Sequence, residues 1–121
     1  MEMNKINLEE KLNLFSEHWS PKIVADLNDQ EIKLVKIKGE FVWHHHDDTD
    51  EMFFVIKGKL IMKLRDKDIT LRPGEFIVIP KGIEHKPVCD EEVHLLLIEK
   101  NNTLNTGNVT DEKTAAVCER I

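Results

Sequence analysis

The 121-residue sequence lacks four features that would each indicate a particular class of protein. It has only two cysteines, Cys89 and Cys118, in no CxxC motif, so we expect reduced thiols in a cytoplasm rather than a disulfide framework. It has neither a run of roughly 18 apolar residues that would cross a membrane nor a basic and apolar start typical of a secretory signal. It also lacks an excess of positive charge. Its 17 basic and 23 acidic side chains give a net charge of −6, which disfavours nucleic acid as a partner.

The composition is that of one folded domain, with 40% hydrophobic and 33% charged residues. We expect a helical segment over residues 1–28 packed on a barrel, the barrel itself over 29–100, and a C-terminal extension over 101–121. An apolar stripe at helical spacing predicts a helix through the first twenty residues, with Asn7 as its N-cap, Glu10 in the capping-box position and Pro21 as its end. The stripe consists of Leu8, Leu12, Phe15 and Trp19.

From about Asp29 the apolar residues occur in short runs, each ended by a turn signal. The runs cover residues 31–37, 41–46, 51–56, 60–64, 69–71, 75–79 and 93–98. Short Val-, Ile- and Phe-rich runs at this spacing are typical of an all-β sandwich or barrel. Two of the runs, 51–56 and 75–79, are apolar on both faces, so we expect the helix to cover one outer face and a second subunit to cover another, as in a homodimer.

Histidines cluster in the run that ends before the acidic turn DDTD. In a strand His44 and His46 would point to the same face and His45 away from it. Glu51 enters the next strand, so a carboxylate could join the two imidazoles around one metal ion, and His85, after a Pro/Gly corner, could be a fourth ligand. The alternative is a solvated polar hairpin in which these side chains have no ligand.

The spacing of these residues matches two sequence motifs. The first is Gly39, His44-x-His46, Glu51 and Gly58, and the second is Gly74, Pro80-x-Gly82 and His85. Both occur in order, and together they resemble the cupin family, in particular the short cupins labelled sugar-phosphate-isomerase-like. The first spacer is one residue shorter than the family's usual form.

The resemblance implies an all-β fold, the double-stranded β-helix or cupin jelly-roll barrel, with a short N-terminal helix. It implies one divalent metal ion, whether Fe, Mn, Zn, Ni, Co or Cu, held inside the barrel by His44, His46, Glu51 and His85. Positive backbone φ angles are expected at Gly58 and Gly82.

Three functions fit such a protein. The first is a metalloenzyme of dioxygenase, isomerase or lyase type that acts on a small molecule, with no catalytic side chain assigned beyond the ligands. The second is a non-catalytic module that binds a metal or a metabolite. The third is a barrel without metal that has kept the ligand residues.

Two other side chains share strand parity with the proposed ligands. Cys89 stands where many cupins have an asparagine, and its thiol either points into the barrel or fills the core as a small apolar group. Phe53 shares parity with Glu51 and either lines the pocket or belongs to the core. The sequence leaves both alternatives open.

Overall fold

Strands dominate the structure, a computed structural model that describes residues 3–115 and 117–121. The prediction of an all-β fold with a short N-terminal helix is confirmed. The elements are α1 (Leu8–Leu12), β1 (Lys22–Leu27), β2 (Gln30–Glu40), β3 (Glu51–Lys57), β4 (Leu60–Leu64), β5 (Asp68–Leu71), β6 (Phe76–Ile79), β7 (His85–Lys100) and β8 (Glu119–Arg120).

The 16-residue strand β7 organises the sheet. One edge of β7 pairs with β2, while its other edge pairs first with β4 and then with β3, all antiparallel. The strand β5 pairs with β4, and the strand β6 pairs with β3. Because β4 and β3 both pair with the single long strand β7, residues at the two ends of β7 can contribute to the same interior.

Alternate residues of the strands face that interior. On β7 the buried side chains include Val93, Leu95 and Leu97, and they pack in one cluster with Phe53 and Val55 of β3. The buried residues also include polar ones, among them His44, His46, Glu51, His85 and Glu99. The fold therefore places an apolar core beside a buried polar region, which contains the candidate site.

The N-terminal segment covers part of the outer face of the sheet. Leu12 and Phe15 pack on Val24 of β1 and Leu34 of β2 in a second apolar cluster. The Asn7 cap is confirmed, since its side-chain oxygen accepts a hydrogen bond from the Glu10 N–H at 2.9 Å.

The predicted helix through residue 20 is wrong in length, because α1 ends at Leu12. The physical reason lies in where the apolar residues pack. Phe15 packs on the outer face, whereas Trp19, with a left-handed φ of 62°, packs against the inner cluster. One continuous helix cannot direct its single stripe to both faces of a sheet.

One other segment differs from the sequence predictions. Residues 22–27, assigned to the helical segment 1–28, form β1 and pair with β2. In the predicted extension, residues 101–115 form mainly turns, and the short strand β8 pairs parallel with β1. In the described part of the chain, no helix combines the length and the apolar character needed to cross a membrane.

Candidate functional site

The structure brings His44, His46, Glu51 and His85 together inside the fold. One side-chain atom from each residue can be chosen so that all four lie within 4.8 Å of one another. The residues are 2%, 5%, 4% and 0% exposed, respectively. Glu51 begins β3 and His85 begins β7, so strand ends position two of the four residues. A solvated hairpin, the alternative interpretation of the histidine run, does not fit this burial.

Residues 41–46 were predicted as a strand, but they form an extended segment with a single bridge. The N–H groups of His44 and His85 each donate to the other residue's carbonyl, at 3.1 and 2.9 Å. The predicted alternation survives, because His44 and His46 are buried while the His45 side chain is 26% exposed.

Chain segments distant in the sequence satisfy the backbone of this stretch. The Asn108 N–H donates to the His45 carbonyl at 3.1 Å, and the His45 N–H donates to the Asn108 side-chain oxygen at 2.8 Å. The Gly82 N–H donates to the His46 carbonyl at 2.8 Å. Loop contacts replace the regular ladder, which is why periodicity alone overpredicted a strand here.

Backbone carbonyls orient two of the imidazole rings. The Nδ1–H of His44 donates to the Val42 carbonyl at 2.8 Å, and the Nδ1–H of His85 donates to the Ile83 carbonyl at 2.9 Å. Since a carbonyl can only accept, each Nδ1 carries the proton and each Nε2 keeps its lone pair. This is the tautomer in which an imidazole binds a metal ion through Nε2.

Three buried atoms of the cluster have no hydrogen-bond partner among the described residues: His46 Nε2, His85 Nε2 and Glu51 Oε1. The two nitrogens lie 3.1 and 3.6 Å from the Glu51 oxygen without forming a hydrogen bond to it. Buried polar atoms without partners are costly, so they point to a group that the protein itself does not supply. A cation among these atoms would satisfy all three.

The electrostatics of the cluster favour the protonation states that bind cations. Burial and the neighbouring His85 lower the pKa of His44 to about 4, which keeps its imidazole neutral near pH 7. Burial alone would raise the pKa of Glu51, but His46 and His85 hold that pKa below its usual range. Neutral imidazoles and an ionised carboxylate are the forms that bind metal.

The sequence analysis missed a second buried polar group next to this cluster. Glu99, at the end of β7, is 1% exposed, and its Oε1 accepts a hydrogen bond from Lys33 Nζ at 2.9 Å. Burial and the adjacent Glu51 carboxylate raise the pKa of Glu99, although Lys33 opposes this shift. Glu99 shares strand parity with His85 on β7, and that was the signal in the sequence that could have identified it.

A cavity of about 40 Å³ adjoins both groups, which is room for two or three water molecules. Its polar lining comes from His44, Glu51, Glu99 and Asn105, and among the described residues no Lys or Arg lines it. Most of the rest is apolar and includes Phe53. This side chain also packs in the inner apolar cluster, so it both lines the cavity and belongs to the core.

Trp19 closes part of this cavity. Its indole stacks on Phe41 with ring centroids 4.6 Å apart, and its Nε1–H donates to the Lys38 carbonyl at 3.1 Å. The predicted helix stripe did not anticipate this role, because it placed Trp19 on the outer face with Phe15.

The remaining sequence predictions concern Cys89 and two glycines. Cys89 is 3% exposed and packs in the inner apolar cluster, where burial raises the pKa of its thiol. This environment agrees with a small core residue. Gly58 and Gly82 have φ angles of 90° and 82°, as predicted.

Comparisons with known proteins agree with the geometry. The model of the cupin domain family matches residues 32–99. A solved cupin-2 domain protein from Shewanella frigidimarina is 53% identical, with a TM-score of 0.78 over 79% of this chain and 94% of that one.

Two curated relatives match over shorter stretches. An uncharacterised Bacillus subtilis protein, YdbB, is 38% identical over 64 residues, which are 52% of this chain and 57% of YdbB. Acireductone dioxygenase of Bacillus licheniformis is 33% identical over 74 residues, 57% of this chain and 41% of that enzyme. The chain thus matches about half the length of these relatives. Both sequence motifs lie within residues 32–99, the region that the family model matches. The chain belongs to the cupin family.

Proposed function

We propose that His44, His46, Glu51 and His85 bind one divalent transition metal ion and that the protein acts there on a small molecule. The observation that carries this proposal is the set of three buried ligand atoms without partners, all directed at one another. Three imidazoles and a carboxylate suit Fe, Mn, Zn, Ni, Co or Cu, and they leave an octahedral ion two open positions. Such a metal, when bound, would supply a Lewis acid or a redox centre.

The reaction types that fit are those of a dioxygenase, an isomerase or a lyase. The likeness to acireductone dioxygenase supports the first of these, since that relative is named as a dioxygenase. The second candidate is a non-catalytic module that binds a metal or metabolite. It is supported by the small volume of the cavity, about 40 Å³, which leaves little room for a large substrate.

Elemental analysis of the tag-free protein, purified without added metal, tests the proposal. We expect close to one equivalent of a transition metal per chain, and we expect His46→Ala and His85→Ala to reduce that occupancy by roughly tenfold or more. His45→Ala is the matched control, since its side chain points away from the cluster. Full occupancy in both ligand variants, or a wild-type protein that stays empty after anaerobic reconstitution, would refute the assignment.

We further propose that two copies of the chain associate through the outer face of β3 and β6. Phe76 and Val78 are 60% and 49% exposed, and they pair in register with Phe54 and Met52, which are half-buried. This apolar surface continues the outer face that the N-terminal segment covers elsewhere. Sedimentation velocity tests this proposal, because a stable monomer would refute it.

Location in the cytoplasm and the absence of a nucleic acid partner stay predictions from the sequence.

A further inference from the structure

The cavity beside the histidine cluster has its solvent boundary at two residues. His44 and Glu51, which line it from the candidate site, are only 2% and 4% exposed. Among the described residues that line the cavity, Trp19 and Asn105 are partly exposed and the others are buried. A molecule that enters from solvent therefore passes at Trp19 and Asn105.

Trp19 and Asn105 belong to two chain segments that meet at this boundary. The Asn105 side-chain amide donates to the Trp19 carbonyl at 3.3 Å and to the Lys113 carbonyl at 2.8 Å. The first of these hydrogen bonds is long for an N–H donor and a carbonyl acceptor. It joins residues 16–21 to residues 101–115 weakly, so the two segments can separate at little cost.

The backbone of Trp19 has an uncommon conformation. Its φ angle of 62° lies in the left-handed region, which bulky side chains rarely adopt. Its backbone N–H donates to the Lys36 carbonyl at 2.9 Å, and its indole N–H donates to the Lys38 carbonyl at 3.1 Å. Strained residues persist where surrounding contacts hold them, and they are frequent at ligand sites. These two hydrogen bonds hold the indole at the cavity in spite of the strain.

Aromatic rings connect this boundary to the candidate ligands. The Trp19 indole stacks on Phe41, with ring centroids 4.6 Å apart and the planes 7° from parallel. The Phe41 ring in turn meets the His44 imidazole edge to face, with centroids 5.2 Å apart. A wall of this kind favours an apolar group over a charged one, because it offers no compensating polar partner.

We propose that Trp19 determines which molecules the site accepts, and that the ligand is a compact molecule with a metal-binding polar end and a short apolar group packed on Trp19 and Phe41. This inference rests on the proposed function, because it places the polar end at the metal. Trp19 is then a specificity-determining residue that limits the size of the apolar group. The cavity volume of about 40 Å³ has room for only a few non-hydrogen atoms.

Binding of two matched chelators to the cobalt-loaded protein tests this inference. Acetohydroxamic acid and benzohydroxamic acid share the chelating group and differ in a methyl against a phenyl group. We expect the wild type to bind the phenyl compound more weakly. Trp19→Ala should shift the ratio of the two affinities toward the phenyl compound by roughly 10- to 100-fold, the range for burying a ring-sized apolar group. Calorimetry and the cobalt visible spectrum measure both affinities.

Trp43→Ala is the matched control for this substitution. Trp43 is the second of the two tryptophans, and its ring lies against the Arg65 guanidinium, 3.9 Å from the ring centroid, and not at the cavity. The control should leave the ratio unchanged. If Trp19→Ala does not fold or does not hold cobalt, Trp19→Phe replaces it. That variant keeps an aromatic ring beside Phe41 and should shift the ratio in the same direction by a smaller factor.

Fluorescence of the zinc-loaded protein tests contact between the ligand and the indole. In Trp43→Phe, Trp19 is the one tryptophan left, and saturating acetohydroxamic acid should change its emission. In Trp19→Phe the emission comes from Trp43 and should change much less. Equal changes in the two variants would contradict contact with Trp19.

The outcomes separate this inference from the proposed function. A wild-type protein that binds no cobalt refutes both. A protein that binds cobalt but neither hydroxamate, or whose affinity ratio is the same with and without the Trp19 indole, retains the metal site and overturns the role of Trp19. An equal shift in Trp43→Ala overturns it as well. Tighter binding of the phenyl compound to the wild type overturns the limit on size.

Discussion

Two buried polar groups lie side by side in this fold, and they satisfy their charges differently. The histidine cluster contains one carboxylate and three imidazoles, two of which are fixed by backbone carbonyls, and its inward atoms lack partners. In the Lys33–Glu99 group the Lys33 ammonium donates a 2.9 Å hydrogen bond to one carboxylate oxygen, so a counter-charge lies within the protein. The first group has three buried atoms without a partner in the protein, whereas the second has a hydrogen-bonded partner for one of its carboxylate oxygens.

This difference separates what each group does for the molecule. Breaking an internal ion pair leaves an uncompensated buried charge and should mainly affect stability. Loss of a histidine from the cluster removes a proposed ligand but leaves the apolar core intact, so it should mainly affect binding of the proposed metal ion. The predictions below test that separation, beginning with the largest expected effect.

Lys33→Met should destabilise the protein by about 3–5 kcal/mol, because it leaves Glu99 buried without its counter-charge. Urea unfolding, followed by tryptophan fluorescence, measures the change. The double variant Lys33→Met/Glu99→Leu should lie within about 1–2 kcal/mol of the wild type, because two apolar side chains replace the pair. Equal losses in the single and double variants would show that charge compensation is not what Lys33 contributes.

Gly107→Ala should destabilise the protein by about 2–3 kcal/mol and also reduce metal occupancy. Gly107 has a φ of 57°, and a Cβ atom there would overlap the His45 carbonyl, which lies between two proposed ligands. The displaced segment would carry His44 and His46 away from Glu51.

Gly74→Ala is the control for this substitution. Gly74 has a φ of 87°, but a Cβ atom there meets nothing within 4 Å, so the backbone strain remains without the overlap. It should cost about 1 kcal/mol and leave metal occupancy unchanged. If both variants retain full occupancy, residues 101–121 do not position the histidines.

Glu92→Gln should have the smallest effect, because the carboxylate that it removes pairs with His18 and His94 at the exposed surface, unlike the buried Lys33–Glu99 pair. Hydrogen bonds from His18 and His94 lower the pKa of Glu92 to about 2, from an ordinary value of 4.5. The stabilisation is therefore present above pH 4.5 and is lost as the pH falls toward 2.

The Glu92 side chain is 41% exposed, so we expect less than about 1 kcal/mol at pH 7. Unfolding curves of wild type and variant, measured at pH 7 and at successive values below 4.5, should converge as the pH falls. A constant difference across that range would mean that the carboxylate charge is not involved.

Much of the fold and of the histidine cluster could be predicted from the sequence, because their signals are local. Strand periodicity places His44 and His46 on one face, and the motif spacing adds Glu51 and His85. The Asn7 cap and the positive φ angles of Gly58 and Gly82 are local in the same sense, since each depends on a few neighbouring residues.

The helix and strand errors arose where distant residues decide the conformation. The chain leaves α1 at Leu12 because Trp19 packs in the interior and Phe15 outside. Residues 41–46 are not a regular strand because Asn108 and Gly82 take their backbone hydrogen bonds. Periodicity in one segment contains no information about either contact.

The sequence by itself therefore determined the family, the β architecture and the four candidate ligands, because residue spacing along strands fixes which side chains share a face. Only the tertiary structure decided that Lys33 and Glu99 meet beside that cluster, that Trp19 lines the cavity, and that Gly107 and Asn108 contact the histidine segment. The physical reason is that these contacts join residues far apart in the chain, and strand register and packing, not local propensity, bring them together.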